Sequence, residues 1–187
     1  MQQPNTKNPW ITLASRWVYE NAWIRVREDK VLNPAGNEGV YGLVKFRNRA
    51  VAIIPIDEQG YTWLVGQYRY ATGNYSWEVP MGGHPIDRLA IEGAHKELAE
   101  ETGLRAAKMT ELMQVELSNS VSDEVGFAFV AQQLSQGETN FDDTEQLQIK
   151  RLPFDEALAM CLDGRISDLF SVATIQQLAL RRQQFGL

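Results

Sequence analysis

Apolar and polar positions alternate along three opening runs, at residues 15–19, 23–28 (extended by 30–32) and 39–46, a period that predicts β-strands. Turn-forming clusters separate them, Glu20-Asn21-Ala22 and Asn33-Pro34-Ala35-Gly36-Asn37. The next run, AVAIIPI at 50–56, is apolar at both parities, as a strand buried on both faces would be. Asp57-Glu58-Gln59-Gly60 reads as a hairpin loop returning into a paired strand at 61–70, and 74–80 as a further short strand. Over 87–102 the period becomes helical and ends at Gly103, the residue expected just past a helix C-terminus. Strands are predicted near 109–117, 125–132 and 146–151, then helices over 154–162 and 169–184. This order predicts a mixed sheet with helices packed on it, either an α+β or an α/β/α layered domain. A small β-layer, 1–47, precedes a main domain, 48–187.

Composition narrows the function more than the fold. The chain has 187 residues, 44% hydrophobic and 22% charged, enough for a full core without disulfides or a structural metal. Its net charge of −6 argues against a nucleic-acid partner, which calls for a basic patch. Cys161 is the only cysteine, so no intrachain disulfide and no four-cysteine zinc site can form. The first eight residues are polar, and no apolar run approaches the ~18–20 residues of a membrane span. A cytoplasmic protein with no membrane partner is the expectation. Trp10, Trp17 and Trp23 crowd the first segment, either filling a small core or docking on a partner subunit, with core filling preferred.

The negative charge is concentrated on one helix. With Glu97 at zero on a wheel of ~100° per residue, Glu101 falls near ~+40° and Glu100 near ~−60°. Ala94, Leu98 and Ile91 form the adjacent apolar stripe expected to face the sheet, and Ala90 and Gly93 leave space on the acidic face. Three carboxylates in one arc repel one another. On spacing alone such an arrangement is either a solvated acidic face or a seat for a hard cation that takes carboxylates, waters and phosphate oxygens. Just upstream, Pro80-Met81-Gly82-Gly83 reads as a strand end running into a glycine loop, where main-chain groups can approach a ligand closely.

The segment from Met81 to Leu104 resembles the box of the Nudix hydrolases, G-x5-E-x7-R-E-(aliphatic)-x-E-E-x-G-(aliphatic). Gly82, Glu97, Leu98, Glu100, Glu101, Gly103 and Leu104 match it. Arg88 stands where the first Glu is usual, opposite the carboxylate face if the helix has begun there, and Lys96 replaces the arginine. Val65-Gly66-Gln67-Tyr68-Arg69-Tyr70 followed by Trp77-Glu78-Val79-Pro80 looks like the signature of the ADP-ribose and nucleotide-sugar pyrophosphatases.

That resemblance implies a Nudix-type α/β/α sandwich and hydrolysis of a small-molecule substrate, a nucleoside diphosphate linked to another moiety. The cofactor implied is Mg²⁺, with Mn²⁺ as a substitute. Glu97, Glu100, Glu101, Glu145 and the Met81 carbonyl would be metal ligands, with Asp143 the base candidate. Arg69, Glu78, Gly82 and Gly83 would bind substrate. Ser122-Asp123-Glu124 sits where similar proteins carry a short acidic loop, and the stretch from Asp163 to Asp168 also fits the group. The resemblance further implies a homodimer built on the N-terminal layer, with Trp17, Tyr19 or Trp23 stacking on the base. Alternatives are GDP-mannose or a dinucleoside polyphosphate as substrate, removal of oxidised nucleoside triphosphates, and a non-catalytic binding regulator.

Overall fold

A computed structural model describes residues 6–137 and 147–187. The chain divides into two compact units, Met1–Arg47 with Ser118–Glu124, and Asn48–Leu117 with Val125–Leu187.

In the first unit, β1 (Ile11–Glu20), β2 (Ile24–Leu32) and β3 (Glu38–Phe46) form an antiparallel sheet in the order β1-β2-β3. The 118–124 segment lies along β3: the Val44 amide donates to the Val121 carbonyl at 2.9 Å, and the Phe46 amide to Asp123 Oδ1 at 2.9 Å. Lys45 pairs with the same carboxylate. The tryptophans do not fill a core as preferred from the sequence. Trp10, Trp17 and Trp23 are 40%, 44% and 67% exposed, because a single three-stranded sheet has no second layer of its own to cover them. Trp17 instead lies under the Arg25 guanidinium, 3.7 Å from the ring centroid, and Trp10 packs edge-on against Tyr41.

The second unit holds the α+β architecture expected. Its strands are β4 (Asn48–Pro55), β5 (Tyr61–Arg69), β6 (Asn74–Glu78), β7 (Met81–Pro85), β8 (Leu104–Glu116), β9 (Val125–Gln136) and β10 (Gln148–Pro153). Its helices are α1 (Ala90–Thr102), α2 (Phe154–Leu162), α3 (Leu169–Leu180) and α4 (Arg182–Phe185). One sheet runs β7-β4-β9-β8 and is mixed, since β4 and β9 are parallel; the other, β10-β5-β6, is antiparallel.

Strand alternation builds the layers. Val51 and Ile53 of β4, with Phe129 and Ala131 of β9, bury against Ala90, Ala94 and Leu98 of α1. Ala52, Ile54, Ala128 and Val130 point the other way, into a core with Phe154, Met160, Phe170, Ile175 and Leu178 of α2 and α3. Each fully buried valine, leucine, isoleucine, methionine or phenylalanine among these contributes about 1.5–3 kcal/mol.

Three local expectations change. The strand after the 57–60 turn does not pair with β4: both neighbours of β4 are already taken, by β7 and β9, so β5 starts the second sheet with β6 and β10. The glycine loop at 82–83 is part of strand β7, hidden from a periodicity search because two glycines carry no side chains to alternate. The last helix stops at Leu180 and resumes at Arg182, with Arg181 at φ −118° between them. Residue 146 of the strand expected at 146–151 lies outside the described residues, and β10 begins at Gln148.

Candidate active site

Helix α1 begins at Ala90, so Arg88 precedes it and lies on no face of the helix. The helix ends where Gly103 adopts φ 71°, its amide donating to the Ala99 carbonyl at 3.0 Å. The buried face of α1 is not the apolar stripe alone. It includes Glu97 and Glu101, 7% and 1% exposed, whereas Ile91 stands 37% exposed. The apolar and acidic arcs thus merge into one face, packed against β4 and β7. Space left by Gly93 is filled from within the chain: a Cβ there would lie 2.5 Å from Cγ of the buried His84 imidazole.

Strand β7 brings main chain up to both buried carboxylates. Met81 pairs opposite Ala52, and its amide donates to Glu101 Oε2 at 2.9 Å. At Gly82, opposite Val51, an added Cβ would stand 2.3 Å from Glu97 Oε2. Glycine at 82 thus lets the Glu97 carboxylate occupy the place a side chain would take. Gly83 is less constrained, its notional Cβ 3.2 Å from Asn48 Nδ2.

Lys96 reaches both remaining sides of the acidic group, with Nζ 2.6 Å from Glu100 Oε2 and 3.2 Å from Glu97 Oε1. Burial works to lower the pKa of this ammonium, but the hydrogen bond to Glu100 and the charge of Glu97 outweigh it, and the net direction is up. Lysine here offsets the repulsion that the spacing would otherwise impose.

Beside this cluster, Arg69 at the end of β5 grips Glu78 at the end of β6. Arg69 Nε donates at 3.0 Å and 3.2 Å to the two carboxylate oxygens, and a second guanidinium nitrogen also contacts Oε2. Glu78 is 2% exposed; the Arg69 side chain is half-buried. The Glu78 hydrogen bonds lead in raising the Arg69 pKa, against burial, and the charges of Glu78, Asp168 and Glu101 add to the rise. Of the α1 carboxylates, Glu101 is the one whose charge reaches Arg69.

The donor chemistry fits a hard divalent cation, because carboxylate oxygens converge on a main-chain segment stripped of a side chain at Gly82. Among the described residues, no three His, Cys, Asp or Glu side chains gather into a metal-holding group. Asp143 and Glu145 lie outside the described residues. In the first unit, Asp123 is engaged by Lys45 and the Phe46 amide, which outweigh burial and lower its pKa, whereas burial alone pushes Glu124 up. A contact that no motif signals adjoins the site: the Val79 amide donates to Ser171 Oγ, 92 residues away, at 3.1 Å.

A mixed sheet flanked by helices, with glutamates of one helix laid against a glycine-bearing strand, defines the Nudix class of hydrolase. Residues 46–170 match the NUDIX domain, and the chain belongs to that family. Residues 10–44 match the nucleoside diphosphate sugar hydrolase N-terminal domain. A methanol dehydrogenase activator of Bacillus methanolicus is 28% identical, covering 91% of this chain and 92% of its own. An ADP-ribose pyrophosphatase of Bacillus subtilis (strain 168) is 26% identical with the same coverage. A GDP-mannose pyrophosphatase of Yersinia pestis (strain Pestoides F) is 31% identical over 69% of each chain. Among solved structures, an ADP compounds hydrolase superposes with a TM-score of 0.86 over 98% of this chain and 99% of its own, at 21% identity, a likeness of fold.

Proposed function

We propose that this Nudix hydrolase cleaves the diphosphate of a nucleoside diphosphate linked to another moiety, ADP-ribose or a nucleotide sugar. The products are a nucleoside monophosphate and a sugar phosphate. One observation carries the proposal: the Met81–Gly82 main chain is seated against Glu97 and Glu101, and Glu78, three residues before Met81, is paired with Arg69. The relatives named for ADP-ribose and GDP-mannose support the substrate class.

Glu97, Glu100, Glu101 and the Met81 carbonyl would hold Mg²⁺, or Mn²⁺ in its place, with Glu145 completing the set. When bound, the metal neutralises phosphate oxygens and lowers the pKa of water. Arg69 presents a fixed guanidinium to the anionic substrate, its fork oriented by Glu78. Gly82 and Gly83, expected from the resemblance to bind substrate, would do so through the main chain, since Glu97 fills the side-chain space at Gly82 and Asn48 borders that at Gly83; Asp143 is the base candidate. We further propose a homodimer, supported by Ile11, Leu13, Trp17 and Tyr19 on β1, all 44–55% exposed. A cytoplasmic location suits a chain with one cysteine, and no helix among the described residues is long and apolar enough to cross a membrane.

A phosphatase-coupled assay with Mg²⁺ tests the activity on ADP-ribose, GDP-mannose, NADH, diadenosine polyphosphates and nucleoside triphosphates. Turnover concentrated on ADP-ribose or GDP-mannose is expected. The relative named as an activator favours a second reading, a binding regulator; tight ADP-ribose binding without turnover on any compound would establish it in place of the enzyme.

A further inference from the structure

We propose that Ser171 is a positioning residue, whose hydroxyl pegs the chain between Glu78 and Met81 and so sets the alignment of both halves of the site. The inference deepens the proposed function and rests on the metal site assigned there.

Val79 and Pro80 form a crossing point. Glu78 is the last residue of β6, in the antiparallel sheet, and Met81 is the first of β7, in the mixed sheet. Residues between two sheets lack a full set of ladder partners, yet Val79 is completely buried and Pro80 is buried with it. Their polar groups must be matched from elsewhere. The Pro80 carbonyl accepts from the Ile53 amide at 2.8 Å, which ties one side of the crossing to β4. Pro80 has no amide hydrogen, so the Val79 N–H is the one donor left, and it goes to Ser171 Oγ at 3.1 Å.

Ser171 is itself held firmly. It is completely buried in the first turn of α3, and its amide donates to Asp168 Oδ2, the N-cap, at 2.7 Å. Its neighbour Phe170 packs over Gly126, where a Cβ would meet the ring at 2.7 Å. The first turn of α3 is thus fixed both to its cap and to β9. A rigid hydroxyl holds Val79; one residue before it lies the partner of Arg69, and two after it the residue that contacts Glu101. Loss of the hydroxyl frees both together. Groups that orient metal ligands from one shell out shift metal affinity by about 10–100-fold.

The test compares Ser171→Ala with Thr174→Ala, a buried hydroxyl on the same helix whose hydrogen bond, to the Phe170 carbonyl at 2.7 Å, stays within α3. Mn²⁺ binding is read by electron paramagnetic resonance without substrate, and hydrogen exchange is followed over 77–81. Ser171→Ala is expected to weaken Mn²⁺ binding about tenfold and to speed exchange at Val79. It should also raise KM. Thr174→Ala is expected to lower the melting temperature without either change in the site. Mn²⁺ binding and exchange in Ser171→Ala equal to those of Thr174→Ala would overturn the proposal. Should Ser171→Ala not fold, Ser171→Cys keeps the volume with a weaker acceptor, and wild-type Mn²⁺ binding and exchange in that variant would overturn it equally. A wild-type protein that binds no Mn²⁺ sinks the metal-site reading alone, and the exchange at Val79 still decides the role of Ser171.

Discussion

The Met81 amide donates to Glu101 Oε2 at 2.9 Å across 20 residues of sequence, joining the first residue of β7 to the last turn of α1. A carboxylate that is 1% exposed is thereby tied to the main chain.

Glu101→Gln keeps an oxygen that can accept from Met81 while removing the charge. The melting temperature should move by no more than a few degrees, while kcat/KM on the best substrate falls by about 10³ or more. Thermal melts and steady-state kinetics check both; unchanged turnover would place Glu101 outside the metal set.

At Gly82 the conflict is with the tip of Glu97, a flexible end that can swing aside. Gly82→Ala is therefore expected to cost only about 1–2 kcal/mol in stability. Activity should fall about 100-fold if Glu97 holds the proposed metal, since the carboxylate would be displaced from it. Urea unfolding and turnover separate the two effects. A large stability loss with full specific activity in the folded fraction would contradict this account.

Glu78→Gln removes the buried anion that orients Arg69. Because Arg69 is half-buried and can regain water, stability should drop by only about 1–2 kcal/mol. KM should rise about tenfold with kcat within about threefold, the pattern of a lost binding contact. An equal fall in kcat and kcat/KM would instead assign the pair to the transition state.

The pH dependence of stability has an identifiable contributor in Asp57. Burial raises its pKa, but amides of Tyr61 and Gln59, each at 2.9 Å, and the Arg151 guanidinium together carry the net shift below the usual carboxylate range. A depressed folded pKa contributes stability above the unfolded value of ~3.9, lost as pH falls through the lower folded value. Asp57→Ala should destabilise by about 1–2 kcal/mol at pH 7, with the deficit narrowing by pH 3. Urea midpoints at the two pH values measure it; an equal deficit at both would show that the charge is not the cause.

Sequence pattern located what side-chain periodicity can encode. β4 was legible because both its parities are apolar, and α1 because carboxylates and aliphatics recur at helical spacing before Gly103. Where side chains are missing, the pattern fails: Gly82 and Gly83 concealed β7, and Gly93 read as open space when it is the seat of His84. Pairing also escaped, since a turn at 57–60 says nothing of which edges of β4 are free. The Ser171–Val79 bond was out of reach for another reason. A serine in the first turn of a helix carries no mark of a partner 92 residues away.

The crossing at Val79–Pro80 divides labour as well as sheets. Arg69 and Glu78 ride on the β5–β6 hairpin of one sheet; Gly82, Glu97 and Glu101 belong to β7 and to the helix packed on the other. On the proposed reading, the arginine pair that would bind substrate and the carboxylates that would hold the metal are carried by separate parts joined at a two-residue splice. A hairpin exchanged from a relative and ending at Glu78 would then change substrate binding while leaving the Mn²⁺ affinity of the β7–α1 half as it is.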